Sequence, residues 1–172
     1  KADAINAAHI RKLTAEDFKS RLVPYLQSAG LIGASLTEAE DAILTEAAPL
    51  IQERITVLSE AAPMLGFLYK SANEIVVEDD AKAGMPANTR QIIDAAIVAL
   101  DSLSEADFKT EAIQEALQSA LIDGLGEKPR NAFGPLRTGI SGRRISPPLF
   151  ESMQILGKAE TLTRLQQFAE AN

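Results

Sequence analysis

Apolar residues recur every three or four positions along most of the chain, with polar residues between them. That spacing lays an apolar stripe along a helix. Phe18, Leu22, Tyr25, Leu26 and Ala29 share one such face, and Ile43, Ala47, Leu50, Ile51, Ile55 and Leu58 share the next, with Arg54 at its edge. Ser59 can open a short helix carrying Met64, Phe67 and Leu68. Ile92, Ile93, Ala96, Ile97, Leu100 and Leu103 form a further face, as do Ile113, Leu117, Ala120 and Leu121, and finally Leu162, Leu165 and Phe168 within a helix over about 160–169. Residues 1–11 also read as a helix. Only Ile75-Val76-Val77 has the look of a strand.

Punctuation fits this reading. Thr14 begins TAED and Thr37 begins TEAE, capping-box patterns in which an acid three residues on can answer the cap's own amide. Asn88 or Thr89 starts one later helix and Thr110 another. Pro24 and Pro49 predict kinks. Gly30 suits a left-handed stop, and Gly124 and Gly126 close the helix after Thr110. Between Asn73 and Ala87 the helical period is lost, and Gly84 and Pro86 mark a boundary between two helical subdomains. Near the end, Pro135 to Ser141 predicts a two-turn helix stopped by Gly142. Ser146 then caps a helix whose first residue is Pro147 and which ends at Gly157.

Composition narrows the chemistry. The 172 residues suffice for one sizeable domain or two small ones. There is no cysteine, which excludes disulfides, zinc–thiolate sites and a cysteine nucleophile, and which suits a reducing compartment. No apolar run reaches the roughly 18–20 residues of a membrane span. The first residues lack a secretory pattern. Lys1 rather than Met at the start suggests a fragment or a processed product.

Charge singles out one region. The chain carries a net −7, yet Lys128 to Phe150 holds five cations (Lys128, Arg130, Arg137, Arg143, Arg144) and no carboxylate. A basic surface on an acidic protein points to an anionic partner there. The same arginines could equally be solvated charges at helix ends. Leu149 and Phe150 adjoin the cluster, and a guanidinium beside an apolar side chain can sandwich an unstacked base.

Catalytic and metal candidates are poor. His9 is the only histidine and has no partner at ligand spacing. Glu78-Asp79-Asp80 lacks the alternation of a calcium loop and reads as a solvated turn. Gly134 to Ser141 imitates a phosphate loop but has Ile140 where lysine is required. No catalytic residue and no metal ligand is expected.

The stretch PLRTGISGRRISPPLFESMQILGKAETLTRL resembles the C-terminal anticodon-binding half of bacterial glutamyl-tRNA synthetases. The matching pieces are Pro135-Leu136-Arg137, Ser141-Gly142, Ser146-Pro147-Pro148-Leu149-Phe150-Glu151 and Leu156-Gly157-Lys158. Weaker similarity extends over the whole chain, with Asn6 and His9-Ile10-Arg11 resembling the end of the family's stem-contact region. The resemblance implies an all-α, two-subdomain helical cage: residues 1–13 ending the stem-contact region, 14–87 the first anticodon-binding subdomain and 88–172 the second. It implies that Arg137 and Leu149 sandwich the first anticodon base, that Ser146 and Pro147 lie at the second, and that Arg54 meets the third. Lys128, Arg130, Arg143 and Arg144 are candidate phosphate contacts. A cytoplasmic, monomeric, membrane-free ligase for tRNA(Glu), with tRNA(Gln) as a second candidate, is implied. Its ATP and Mg would bind in a catalytic half absent here, so this stretch would be inactive alone. The rival reading is a helical protein-interaction module with no RNA role.

Overall fold

A computed structural model describes residues 7–172, so Asn6 and the first residues of the expected opening helix lie outside it. The described residues form ten α-helices joined by short 3-10 turns, with no strand among them. They fall into two compact units, one ending at Lys70 and one running from Ser71 to Asn172.

In the first unit, α1 (Ala7–Lys12), α2 (Ala15–Ser28), α3 (Glu38–Ile51) and α4 (Ala61–Leu65) enclose a core of Ile10, Phe18, Leu22, Leu26, Leu44, Ile51 and Leu65. The two capping signals act differently. Thr37 accepts from the Glu40 amide while the Glu40 carboxylate accepts from the Thr37 amide, closing a complete box. Thr14 makes only the forward bond, from the Asp17 amide. Pro24 and Pro49 sit inside α2 and α3, which run on past them.

Sequence periodicity carried the second apolar face through Leu58, but α3 stops at Ile51. The chain turns there, with the amides of Arg54 and Ile55 both returning to the Ile51 carbonyl. Ile55 and Leu58 are still buried, which is why their spacing imitates a continuing helix. Gln52 fixes the turn by donating to the carbonyls of Ile10 and Leu13. The Tyr69 hydroxyl is buried without a hydrogen-bond partner among the described residues. Burial first, then Glu40 and Asp41, raises its pKa, so it stays a neutral phenol.

The second unit is built from α5 (Asp79–Ala83), α6 (Thr89–Asp101), α7 (Thr110–Leu117), α8 (Pro129–Ser141), α9 (Leu149–Leu156) and α10 (Lys158–Glu170). Its start precedes the boundary expected after Ala87. The segment 71–87 docks onto this unit: Gln167 donates to the Asn73 side chain, Ala81 is fully buried, and the Glu78 amide donates to the Gly142 carbonyl at 2.8 Å. Ile75-Val76-Val77 is irregular chain, not strand. Thr110 spends its amide and hydroxyl on Gln154 of α9 instead of capping α7, and α7 widens into a π-helical segment over Gln118–Gly124.

Both proline-started helices near the end begin elsewhere than expected. Pro129, not Pro135, opens α8, and Pro135 lies inside it. α9 begins at Leu149, not Pro147, and Ser146 is not its cap. The cause is local: a residue before proline is disfavoured in the helical region, so Pro148 keeps Pro147 out of a helix. α8 ends as read, with Gly142 left-handed at φ 79°. Arg164, only 2% exposed, donates to the Ile140 carbonyl at 2.8 Å and to Glu160 at 2.9 Å. It thereby satisfies a carbonyl that the end of α8 would otherwise leave unpaired.

Candidate nucleic-acid interface

The end of α8 and the turn after it bring three of the expected residues together. Arg137 donates to the Ser146 hydroxyl at 2.7 Å and to the Pro147 carbonyl at 2.9 Å. Its own carbonyl accepts from Ser141, whose hydroxyl in turn accepts the Arg143 amide. The turn is thus threaded by hydrogen bonds from Arg137 to Pro147. These bonds from Arg137 use the edge of its guanidinium, whereas a base would stack on the face.

Leu149 is placed differently from the expected second wall. It is 4% exposed and belongs to the core of this unit. A base stacking on it would first have to part it from its neighbours. Ser146 and Pro147 are also buried. Phe150, next in line, meets Phe133 edge to face with ring centroids 5.3 Å apart, a geometry that favours aromatic pairs. That contact ties the start of α9 to α8.

The remaining cations divide by their partners. Arg143 pairs with Glu78 at 3.2 Å and is half-buried. Arg144 lies 3.9 Å from Asp80, and both side chains are well exposed, so that pair contributes little. Lys128 and Arg130 are exposed. The acid run 78–80, read from sequence as a solvated turn, therefore lies against the arginine pair, with Glu78 as the N-cap residue of α5.

Arg130, Arg137 and Arg144 converge on one open groove of about 730 Å³. Ala81, Gly84, Met85 and Pro86 line it beside Phe133, Gly134, Pro135 and Thr138 of α8, and no carboxylate lines it. The sequence places Met85 and Pro86 only in the boundary between the two subdomains, which Pro86 helps to mark. Nothing in their local pattern marks them as groove lining, because that depends on how α5 lies against α8. A smaller groove of about 530 Å³ in the same unit is lined by Glu115 and Asp123 and by no cation. It would repel an anion.

Arg54, in the first unit, is exposed in the turn after α3 rather than on a helical face. Its guanidinium has no hydrogen bond or salt bridge among the described residues. The turn that follows is pinned by Glu60, whose carboxylate accepts the Thr56 and Val57 amides. The Thr56 bond is the main reason that the Glu60 pKa is lowered. Among the described residues no group of three His, Cys, Asp or Glu side chains could hold a metal ion, and no helix is long and apolar enough to cross a membrane.

Comparison with known proteins gives this geometry a context. A family described as the anticodon binding domain matches residues 17–169. A glutamate–tRNA ligase of Arthrobacter sp. (strain FB24) is 60% identical over 168 residues, covering 98% of this chain and 33% of that protein. One from Leifsonia xyli subsp. xyli is 53% identical over 171 residues, covering 99% and 35%. The chain therefore spans about a third of the length of these curated relatives. Among solved structures, a glutamate tRNA ligase from Elizabethkingia meningosepticum matches with a TM-score of 0.74 at 22% identity, over 96% of this chain and 31% of that one. The glutamate-tRNA synthetase of Elizabethkingia anophelis gives 0.71 at 19% identity. The structural likeness bears on the fold.

Proposed function

The chain belongs to the anticodon binding domain family, and from that premise we propose that it is the anticodon-reading part of a cytoplasmic glutamate–tRNA ligase. The chemistry that uses ATP and Mg would lie in the portion of the enzyme outside this chain. Here the work is recognition: phosphate attraction brings the anticodon loop in, and base contacts test it. The observation that carries the reading is the groove holding Arg130, Arg137 and Arg144 without a carboxylate, on a chain of net charge −7. The tRNA(Glu) anticodon is the primary target, with tRNA(Gln) as the near-cognate to be told apart, and the unit of function is a monomer.

Roles follow from surroundings. Arg137 is braced to present its face to the first anticodon base, with Leu149 the other wall once the turn admits the base. Ser146 and Pro147 lie where the second base would reach. Arg54, exposed and fork-shaped, suits the acceptors of a cytosine edge, while guanine's amino group would face another donor. Lys128, Arg130 and Arg144 meet phosphates. Arg143, already held by Glu78, mainly fixes the turn.

Titrating the chain with an anticodon stem-loop of glutamate tRNA, and with a copy whose three anticodon bases are replaced, tests the reading. The cognate loop is expected to bind more tightly. Log affinity should fall with log salt at a slope of about −2, as for three neutralised single-strand phosphates. Equal affinity for the two loops, or binding indifferent to salt, would leave the protein-interaction reading standing instead. In the full-length ligase, Arg54→Gln is expected to reduce selectivity for glutamate over glutamine tRNA by roughly 5- to 100-fold, the scale of one bidentate base contact. Charging assays with both tRNAs measure it, and unchanged selectivity would remove Arg54 from the site.

A further inference from the structure

Arg137 touches two places at once: it bonds the Ser146–Pro147 turn and also lines the groove. The far wall of that groove comes from a segment that the anticodon reading does not use. Ala81 is fully buried and Met85 and Pro86 are half-buried, so the wall is anchored yet presents apolar surface. Two bonds hold its shape. The Met85 amide donates to the Lys82 carbonyl at 3.2 Å, and the Thr89 hydroxyl donates to the Pro86 carbonyl at 2.6 Å.

We propose that this groove is an additional nucleotide subsite, taking one nucleotide that flanks the three anticodon bases in the loop. Its phosphate is met by Arg130 and Arg144, and its base lies against Met85 and Pro86. The proposal rests on the anticodon reading and extends it. Charge complementarity selects the occupant: three arginines and no acid line this groove, whereas the smaller groove along α7 and its π-helical extension holds two acids and no cation. An apolar wall facing cations suits an unstacked base with its phosphate, not a duplex, whose base faces are covered. Asp80 does not close the site, because its contact with Arg144 is long and exposed and a phosphate can replace it.

A mutant cycle on this chain tests the subsite. The probes are the glutamate anticodon stem-loop, the anticodon-replaced loop, and loops in which each flanking nucleotide is made abasic in turn. Met85→Ala is expected to weaken binding about five- to tenfold, the loss from exposing a thioether's worth of apolar contact. It should do so equally for both anticodons, since the flanking base is common to them. One abasic position should abolish the effect of Met85→Ala, and Met85→Leu should restore near-native affinity. Inorganic phosphate should displace the loop from the native chain no better than chloride at matched ionic strength; preferential displacement by phosphate, with Met85→Ala binding the loop normally, would assign the groove to a free anion. Met85→Ala binding all loops normally while the chain still discriminates anticodons would overturn the subsite and spare the anticodon reading. Loss of that discrimination in the native chain would overturn both.

Discussion

Gly142→Ala is expected to destabilise the second unit by roughly 3–5 kcal/mol, enough to unfold much of it near physiological temperature. Two costs combine. The residue is left-handed, at φ 79°, where a Cβ costs about 1–2 kcal/mol. A Cβ there would also run into the carbonyl oxygen of Val76, with Val76 C at 3.0 Å and Ile75 Cγ2 at 3.3 Å. Relief would require moving the 75–78 segment away and breaking the bond from the Glu78 amide to the Gly142 carbonyl. Gly126→Ala separates the two costs. That glycine is also left-handed, at φ 74°, but a Cβ there meets nothing within 4 Å. It should lose only about 1–2 kcal/mol. Chemical denaturation of the three proteins measures the difference. Equal losses at the two glycines would mean that close approach to Val76 does not matter.

How far the sequence could foresee this fold depends on how local each signal is. Helical faces were legible because burial follows a period of 3.6: Ile92, Ile93, Ala96 and Leu100 are all inaccessible. The Thr37 box and the Gly142 stop were legible because their chemistry is completed within four residues. Helix ends were harder. Pro135 and Pro147 both looked like first residues, but one lies within α8 and the other is disqualified by the proline after it. The end of α3 was hidden because Ile55 and Leu58 turn inward after the helix stops. The extent of the second unit was hidden because residues 71–87 carry no helical period, yet dock through backbone and side-chain bonds to partners far along the chain.

The candidate site divides along the same line. Arg137, Ser146 and Pro147 are close in sequence and stand in one spaced motif, and the structure joins them directly. The pairing of Glu78 with Arg143 spans 65 residues. The acid run alone reads as a solvated turn and the basic run as an anion-facing surface or solvated helix-end charges, so only folding could show that they answer one another. Met85 and Pro86 were invisible for the same reason. The burial of Leu149 was also beyond the sequence, since an apolar residue beside a basic cluster serves a core as well as a binding surface.

Arg137→Ala is expected to weaken binding of the glutamate anticodon stem-loop by roughly 10- to 100-fold, as for loss of a base stacked on a charged plane. It should also shrink the preference for the cognate loop over one altered at the first anticodon base. The bracing bonds explain why so much depends on one residue: they hold the guanidinium in place before the base arrives, so ordering costs less on binding. They also predict a structural side effect. Removing the guanidinium takes the Arg137 donor from the Pro147 carbonyl, which still accepts from the Ser146 hydroxyl at 3.1 Å, so the stability cost is that of one hydrogen bond, about 0.5–1.5 kcal/mol. Arg137→Lys distinguishes recognition from charge, since it keeps the cation but has neither the fork nor the flat face. It should recover part of the affinity and little of the discrimination. Arg130→Ala is the opposite control. It should weaken both loops about equally, only a few-fold, and make the salt slope shallower by about 0.7, the share of one phosphate contact. Binding titrations at two ionic strengths decide the matter. If Arg137→Ala and Arg130→Ala lose the same affinity with discrimination intact, Arg137 contributes only generic attraction and the base-stacking role falls.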